Sequence, residues 1–230
     1  MLGSLASWLD RLPSQCAICR DWPARPVCDA CVARFAPPTP RCRRCALPVP
    51  AGVTQCGECL LRPPPLDDCV AACAYAWPWA DCIAQFKFHG EVGWATPFAT
   101  LMRNAPWAEP ALERCDRVLP MPLAPLRLRE RGFNQALVLA RQLAPDKTDA
   151  RLLLRTHETP AQSGLPRDAR LRNLRGAFAL EPQRSATVRG QRIVLVDDVM
   201  TSGASLFAAA EVLRAAGAAA VAAIVFARTA

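Results

Sequence analysis

Ile193-Val194-Leu195-Val196-Asp197-Asp198-Val199-Met200-Thr201-Ser202-Gly203-Ala204-Ser205 is the stretch whose reading decides the fold. Four branched apolar residues in succession suit a strand buried on both faces, and such strands belong to parallel sheets covered by helices. Two acids close the run. Adjacent carboxylates after a buried strand are costly unless a ligand or cation meets them. The carboxyl end of a strand is where open α/β sheets place ligands, and there the two acids can accept hydrogen bonds from neighbouring sugar hydroxyls. The residues that follow are small and hydroxyl-rich. Gly203 is free to take positive φ, so that backbone N–H groups can approach a phosphate while Thr201, Ser202 and Ser205 add hydroxyl donors. A helix starting at about Ala204 aims its positive end at the same point. No GxxxxGK lysine is present, so this is not a P-loop. An ordinary strand-to-helix turn with an Asp cap is the plainer reading, and it leaves the cost of the acid pair unexplained.

Outward from this stretch, strands and helices alternate. Downstream the pattern predicts a helix over 204–216 and a strand over 218–226. Upstream it predicts strands over 69–76, 117–119, 151–154 and 177–180, the second stopped by Pro120. Helices are expected over 81–88 and over 91–103, the latter with Val92, Ala95, Phe98, Ala99 and Met102 inward and a kink at Pro97. Phe133, Ala136, Leu137 and Ala140 mark one more helix. Residues 156–175 are polar and aperiodic, and a long loop in a compact domain is itself a functional hint. The alternation predicts an α/β fold, a mostly parallel sheet with helices on both faces.

At 230 residues and 52% hydrophobic, the chain supports one ordinary core plus a small appended module. Leu2, Leu5, Trp8, Leu9 and Leu12 share a helical face, but that segment lacks the basic start and cleavage site of a secretory signal. The longest apolar run, 218–227, is too short to cross a bilayer. A cytoplasmic chain with no membrane insertion is expected.

Eight of the twelve cysteines form four CxxC pairs, Cys16/Cys19, Cys28/Cys31, Cys42/Cys45 and Cys56/Cys59. Without an export signal, this spacing favours thiolate metal ligands over disulfides. Two CxxC turns complete the closed tetrahedron of a structural Zn²⁺, so two ions are expected. Sequential quartets and an interleaved cross-brace both satisfy the spacing; we favour sequential pairing. A module this rich in Pro and Arg has little apolar core, and metal should supply most of its folding free energy. The Pro63-Pro64-Pro65 run is read as the boundary behind it. The remaining thiols, Cys69, Cys73, Cys82 and Cys115, lack paired spacing and are read as small buried residues.

The formal charge of +8 counts no cysteine, and eight thiolates around two Zn²⁺ would halve it. Residues 121–175 hold eleven Arg/Lys against five Asp/Glu, which suits an anionic ligand. Arg20, Arg25, Arg34, Arg41, Arg43 and Arg44, with Trp22 and Phe35, would either hold a nucleic-acid backbone and stack bases or simply solvate a small surface. Lys87, at a helix end, is read as interacting with the helix dipole ahead of any anion. His89 and His157 sit in no nucleophile or base constellation and are assigned to the surface.

Residues 197–205 resemble the 5-phosphoribosyl-1-pyrophosphate signature of type I phosphoribosyltransferases. The resemblance widens through the zinc ribbons, Phe86-Lys87-Phe88-His89-Gly90, and Pro120-Met121-Pro122-Leu123 leading to Arg131-Gly132-Phe133-Asn134-Gln135. With Thr159, Gln162, Arg170, Asn173 and Phe178 it covers nearly the whole chain and is similar to the ComF family (ComFC/GntX type). This implies a double zinc ribbon over 13–62 and a type I phosphoribosyltransferase-like domain over 66–230, in a cytoplasmic bacterial protein linked to natural transformation. It further implies that Asp197 and Asp198 hold the ribose hydroxyls and that Thr201, Ser202, Gly203, Ala204 and Ser205 cradle the 5′-phosphate. Pro120, Met121 and Pro122 with Arg131 would take the pyrophosphate, and Gln162 and Arg170 would belong to a hood closing over phosphoribosyl pyrophosphate and its Mg²⁺. For Arg127 and Arg129 a phosphate fork and a solvated basic turn are equally good readings.

Two functions follow. As an enzyme, the chain would transfer the phosphoribosyl group to an acceptor that no base-recognising cluster names. As an adaptor, it would bind single-stranded DNA, and with it a competence helicase, keeping the phosphoribosyl pocket as a ligand sensor.

Overall fold

The structure, a computed structural model, describes residues 14–22, 26–156 and 176–230. Gln162 and Arg170, the proposed hood residues, lie outside the described residues, as do Arg25, His157 and the amphipathic start. The chain divides into two compact units, 1–37 and 38–230.

In the first unit Cys16 and Cys19 sit on a turn closed by the Arg20 amide donating to the Cys16 carbonyl. Cys28 caps α1 (Asp29–Phe35), its sulfur accepting from the Cys31 amide. One helical turn thus brings the third and fourth sulfurs to the same side.

The larger unit is built on strands β1 (Asp68–Ala74), β2 (Arg117–Pro120), β3 (Leu153–Arg155), β4 (Phe178–Leu180), β5 (Arg192–Met200) and β6 (Ala220–Arg228). Four of them form a parallel sheet in the order β1-β6-β5-β2, and β3 and β4 pair separately and antiparallel. The helices are α2 (Gly57–Leu61), α3 (Trp79–Phe88), α4 (Ala95–Asn104), α5 (Ala108–Arg114), α6 (Pro125–Arg131), α7 (Gln135–Leu143) and α8 (Ala204–Ala215). The expected α/β class, with a mostly parallel sheet, is what the structure shows.

Strand alternation sorts the core into two layers. Val221, Ala223 and Val225 of β6 join Ile193 and Leu195 of β5 under Leu206, Phe207, Ala210 and Leu213 of α8. Phe226 points the other way, edge-on to Trp79 of α3 and stacked on Phe98 of α4 at 3.9 Å. Phe86 meets Phe98 edge-on at 5.6 Å. These four rings are essentially fully buried, and each contributes about 2–3 kcal/mol by leaving water.

Two details differ from the sequence reading. Strand β5 does not stop at Val196 but runs through both acids to Met200, because β6 continues beside it, pairing Asp197 with Val225 and Met200 with Arg228. Pro97 does not kink a helix from Glu91; a 3₁₀ turn (Val92–Trp94) precedes α4, and Pro97 falls in the first turn of α4, where its missing N–H breaks no bond.

The second cysteine quartet lies in the larger unit, and the Pro63-Pro64-Pro65 run lies inside that unit too. Cys42, Cys45, Ala46 and Cys59 share a buried cluster with Leu66, Cys69 and Met200. Arg43 bonds Asp68 at 2.7 Å, and Arg44 donates to the Leu66 carbonyl. Arg41, Arg43 and Arg44 each bond within the fold, Arg43 while 64% exposed, whereas Arg20 and Arg34 are exposed. Among the described residues no helix is long and apolar enough to cross a membrane.

Candidate functional site

The acid pair stands at the carboxyl end of β5, beside the turn that opens α8. Period-two alternation sends neighbouring side chains to opposite sides of a strand. Asp198, 6% exposed, meets Lys87 from the end of α3, with Nζ 2.9 Å from its Oδ1. Lys87 therefore does more than face its helix dipole. Asp197 Oδ1 accepts the Asp198 amide at 2.9 Å. Burial, reinforced by the Asp198 charge, pushes the Asp197 carboxyl up to about 7, while Lys87, the Asp198 amide and Arg131 pull the other way.

Gly203 takes φ +80° just before α8, and its space is closed as well: a Cβ there would lie 2.4 Å from Met200 Cε and 2.7 Å from Phe207 Cζ. The N-cap residue Gly203 offers no side chain and Ser202 Oγ accepts only the Ala204 amide, at 3.4 Å, so the next amides of α8 face the turn, where Thr201 is exposed and Ser202 and Ser205 are half-buried. The helix dipole and the amides and hydroxyls of 201–205 share this turn, a combination that suits an anion.

Beside it, Pro120 ends β2 in register with Val196, and the Met121 amide donates to the Val196 carbonyl at 2.9 Å. Asn134 fixes this loop from behind: its Nδ2 donates to the Met121 carbonyl at 3.1 Å while its Oδ1 caps α7 at the Leu137 amide. Gly132, at φ +75°, reverses the chain after α6 and leaves Arg131 half-buried. The Arg131 guanidinium donates to Gln135 Oε1 at 3.1 Å and lies over the Phe88 ring at 5.1 Å. Burial lowers its hold on the proton, and the Asp198 and Asp197 carboxylates offset this. Arg127 is half-buried and Arg129 exposed.

The structure thus places Asp197, Asp198, Pro120, Met121, Pro122, Arg131 and residues 201–205 around one end of the sheet. The sequence reading had missed the Lys87 pairing and the roles of Phe88, Asn134 and Gln135. Asn134 carried a usable signal, since an Asn followed by an apolar-periodic helix is a cap signature. A surface cavity of about 570 Å³ lies at the opposite end, where Asp149 is held by Arg117 and Arg184. Of the three acids that line it, Asp116, Asp146 and Asp149, Asp149 is paired with both arginines and Asp116 accepts from the Arg192 amide at 2.7 Å.

The eight cysteines gather as two sequential quartets, Cys16/Cys19/Cys28/Cys31 and Cys42/Cys45/Cys56/Cys59, the sulfurs of each lying within 4.8 Å of one another. A ZnS₄ tetrahedron with bonds of about 2.3 Å has edges of about 3.8 Å, and the observed pairs include Cys16–Cys31 at 3.8 Å, Cys19–Cys28 at 3.5 Å and Cys45–Cys56 at 3.7 Å. Both quartets fit structural zinc. Burial opposes ionisation, yet backbone amide hydrogen bonds bring the Cys16 thiol down to about 6 and Cys42 to about 7. By contrast, burial pushes Cys69 and Cys73 up to about 12, and Cys82 and Cys115 are buried too, as expected for packing residues.

The family model described as a phosphoribosyl transferase domain matches residues 128–230. Over 168 residues the chain is 34% identical to "DNA utilization protein YhgH" of Escherichia coli K12, covering 70% of this chain and 72% of that one. The chain belongs to the ComF family. "Competence protein F" of Haemophilus influenzae is 30% identical over 69% of this chain and 71% of its own. "Competence protein ComFC" of Bacillus subtilis is 29% identical over 58% and 52% respectively. Within the ComF family frame, the matched segment spans α8, the acid pair and Arg131, whereas both cysteine quartets lie ahead of it.

Proposed function

We propose that this ComF protein binds phosphoribosyl pyrophosphate at the carboxyl end of its sheet and acts as a phosphoribosyltransferase in DNA uptake. The observation that carries the reading is the juxtaposition of Asp197 and Asp198 with the start of α8, whose N-cap is Gly203. Carboxylates there accept from vicinal ribose hydroxyls, and the amides and hydroxyls of 201–205 hold the 5′-phosphate. Arg131, with the loop of Pro120, Met121 and Pro122, receives the pyrophosphate as charge builds on its leaving oxygen. Lys87 keeps the acid pair from repelling the anion. The acid pair offers hard oxygen donors that suit Mg²⁺, whose remaining ligands would be pyrophosphate oxygens and water; bound there, it supplies charge neutralisation. The chain's own part is positioning and electrostatics. The names of the relatives, DNA utilization and competence proteins, support the link to DNA uptake.

Calorimetric titration of the zinc-loaded protein with phosphoribosyl pyrophosphate and Mg²⁺ tests this. Saturable binding lost in Asp197→Ala/Asp198→Ala is expected, together with pyrophosphate release once an acceptor is supplied. Absence of binding overturns the reading.

A second reading, a single-strand-binding adaptor that uses the pocket as a sensor, is favoured by the first unit, where Trp22 is 63% exposed and Arg20 and Arg34 are exposed beside the quartet. Salt-sensitive single-strand binding that survives the double alanine change is its signature.

A further inference from the structure

We propose that Arg228 is a positioning residue that couples metal occupancy of the second cysteine quartet to the shape of the phosphate loop. The inference rests on the reading of residues 201–205 as that loop.

Arg228 is the last residue of β6 and only 5% exposed. Its backbone pairs with Met200 at the end of β5, which fixes where the side chain starts. From there Nε donates to the Cys45 carbonyl at 2.9 Å. Nη1 shares its two hydrogens among the Thr201 carbonyl, the Thr229 carbonyl at 2.5 Å, Thr229 Oγ1 at 3.2 Å and the Met200 carbonyl at 3.3 Å. Cys45 belongs to the second quartet; Met200 and Thr201 lead into the phosphate turn. One planar guanidinium, whose donors point in fixed directions, thus ties the metal knuckle to the loop.

Packing runs along the same line. Cys69 Sγ touches Met200 Sδ at 3.5 Å, and the Met200 methyl lies 2.4 Å from where a Cβ on Gly203 would be. Cys42, Cys45 and Cys59 lie in one buried cluster with Met200, Ala204 and Phe207. A knuckle that loses its metal therefore frees the floor of the loop as well as one anchor of the guanidinium.

Charge supports the arrangement. Four thiolates around Zn²⁺ carry two net negative charges, which favour cations at the surrounding carbonyls. Two arginines stand there. Arg41 Nη1 donates to the Ala46 carbonyl at 3.0 Å, one residue from the carbonyl that Arg228 holds. Metal loss frees the knuckle that presents the Cys45 and Ala46 carbonyls to the two guanidiniums. The loop amides then lose their preset geometry, and phosphate binding weakens even though no residue of the loop has changed.

The test compares zinc-loaded wild type with Arg228→Gln, Arg228→Lys, Cys56→Ser and Cys19→Ser. Each is titrated with phosphoribosyl pyrophosphate and Mg²⁺ in a calorimeter, with zinc content measured by elemental analysis. Arg228→Gln is expected to bind tenfold or more weakly with wild-type zinc content, and Arg228→Lys to recover part of the loss. Cys56→Ser is expected to lose one zinc and the same affinity, whereas Cys19→Ser, outside the contacts described, loses zinc and stays within twofold. Wild-type affinity in zinc-retaining Arg228→Gln overturns the proposal.

Hydrogen exchange gives a readout independent of folding defects in the variants. Mild chelation of wild type should speed exchange of the 200–205 amides before the sheet opens, and unchanged exchange there also overturns the coupling. If intact, zinc-loaded wild type binds no phosphoribosyl pyrophosphate, the ligand reading fails; the exchange result still decides the coupling.

Discussion

Replacing Asp197 by Asn should make the protein more stable at pH 8 while abolishing ligand binding. In the fold the Asp197 carboxyl has a pKa of about 7 against 3.8 in an exposed chain. Keeping it ionised at pH 8 therefore costs about 4 kcal/mol relative to the unfolded state. The amide keeps the shape and one acceptor for the Asp198 N–H but carries no charge, so a gain of about 2–4 kcal/mol is expected, a rise in Tm of roughly 5–15 °C. The sign fixes the pH window. Because the folded pKa is raised, the native state holds a proton that the unfolded chain releases, so the wild type gains stability as pH falls from 8 through 7 toward 4. The advantage of Asp197→Asn should shrink over that range and vanish near pH 4. Calorimetric melts of both proteins, zinc-loaded and ligand-free, at pH 8, 7, 6 and 4.5 measure it. A variant no more stable than wild type at pH 8, or an advantage independent of pH, refutes the argument.

Lys87→Met strands Asp198 in a largely dry site and should cost about 3 kcal/mol, a fall in Tm of about 6–12 °C; in a double-mutant cycle with Asp198→Asn, coupling below about 0.5 kcal/mol would show that the pair is not an energetic unit. Gly203→Ala meets both positive φ and two side chains closer than a methyl allows, so a loss of about 2–4 kcal/mol by denaturant melts is expected. Arg131→Lys keeps the charge but forfeits the planar contact over Phe88, and phosphoribosyl pyrophosphate affinity measured by calorimetry should fall about tenfold while stability changes little. Among the described residues the first unit buries only Cys16, Val27 and Cys31, so chelation should unfold it; an unchanged circular dichroism spectrum, with no zinc found by elemental analysis, contradicts this.

How much of this was legible in the sequence depended on whether a signal was local. The run from Ile193 to Ser205 declares strand, acids, turn and helix within thirteen residues, because buried strands and tight turns demand particular residue types where they stand. The CxxC spacing is equally local. Lys87 was not legible in the same way: its partner lies over a hundred residues onward, and nothing near Lys87 separates a helix-dipole cation from an ion-pair partner. Arg228 ends an apolar run and looks like a terminating charge; only the β5–β6 register brings it to the Met200 and Thr201 carbonyls. Pro97 misled because the start of α4 depends on the 3₁₀ turn before it, which periodicity does not resolve.

Gly203 is hemmed in by Met200 and Phe207 from below, and this has a kinetic corollary. A receptor whose amides are already set forfeits little freedom when an anion arrives, so encounter should be fast and governed by diffusion and charge. Selectivity among phosphorylated sugars must then reside in how long each one stays. Close analogues are expected to enter alike and to part from the protein at very different speeds.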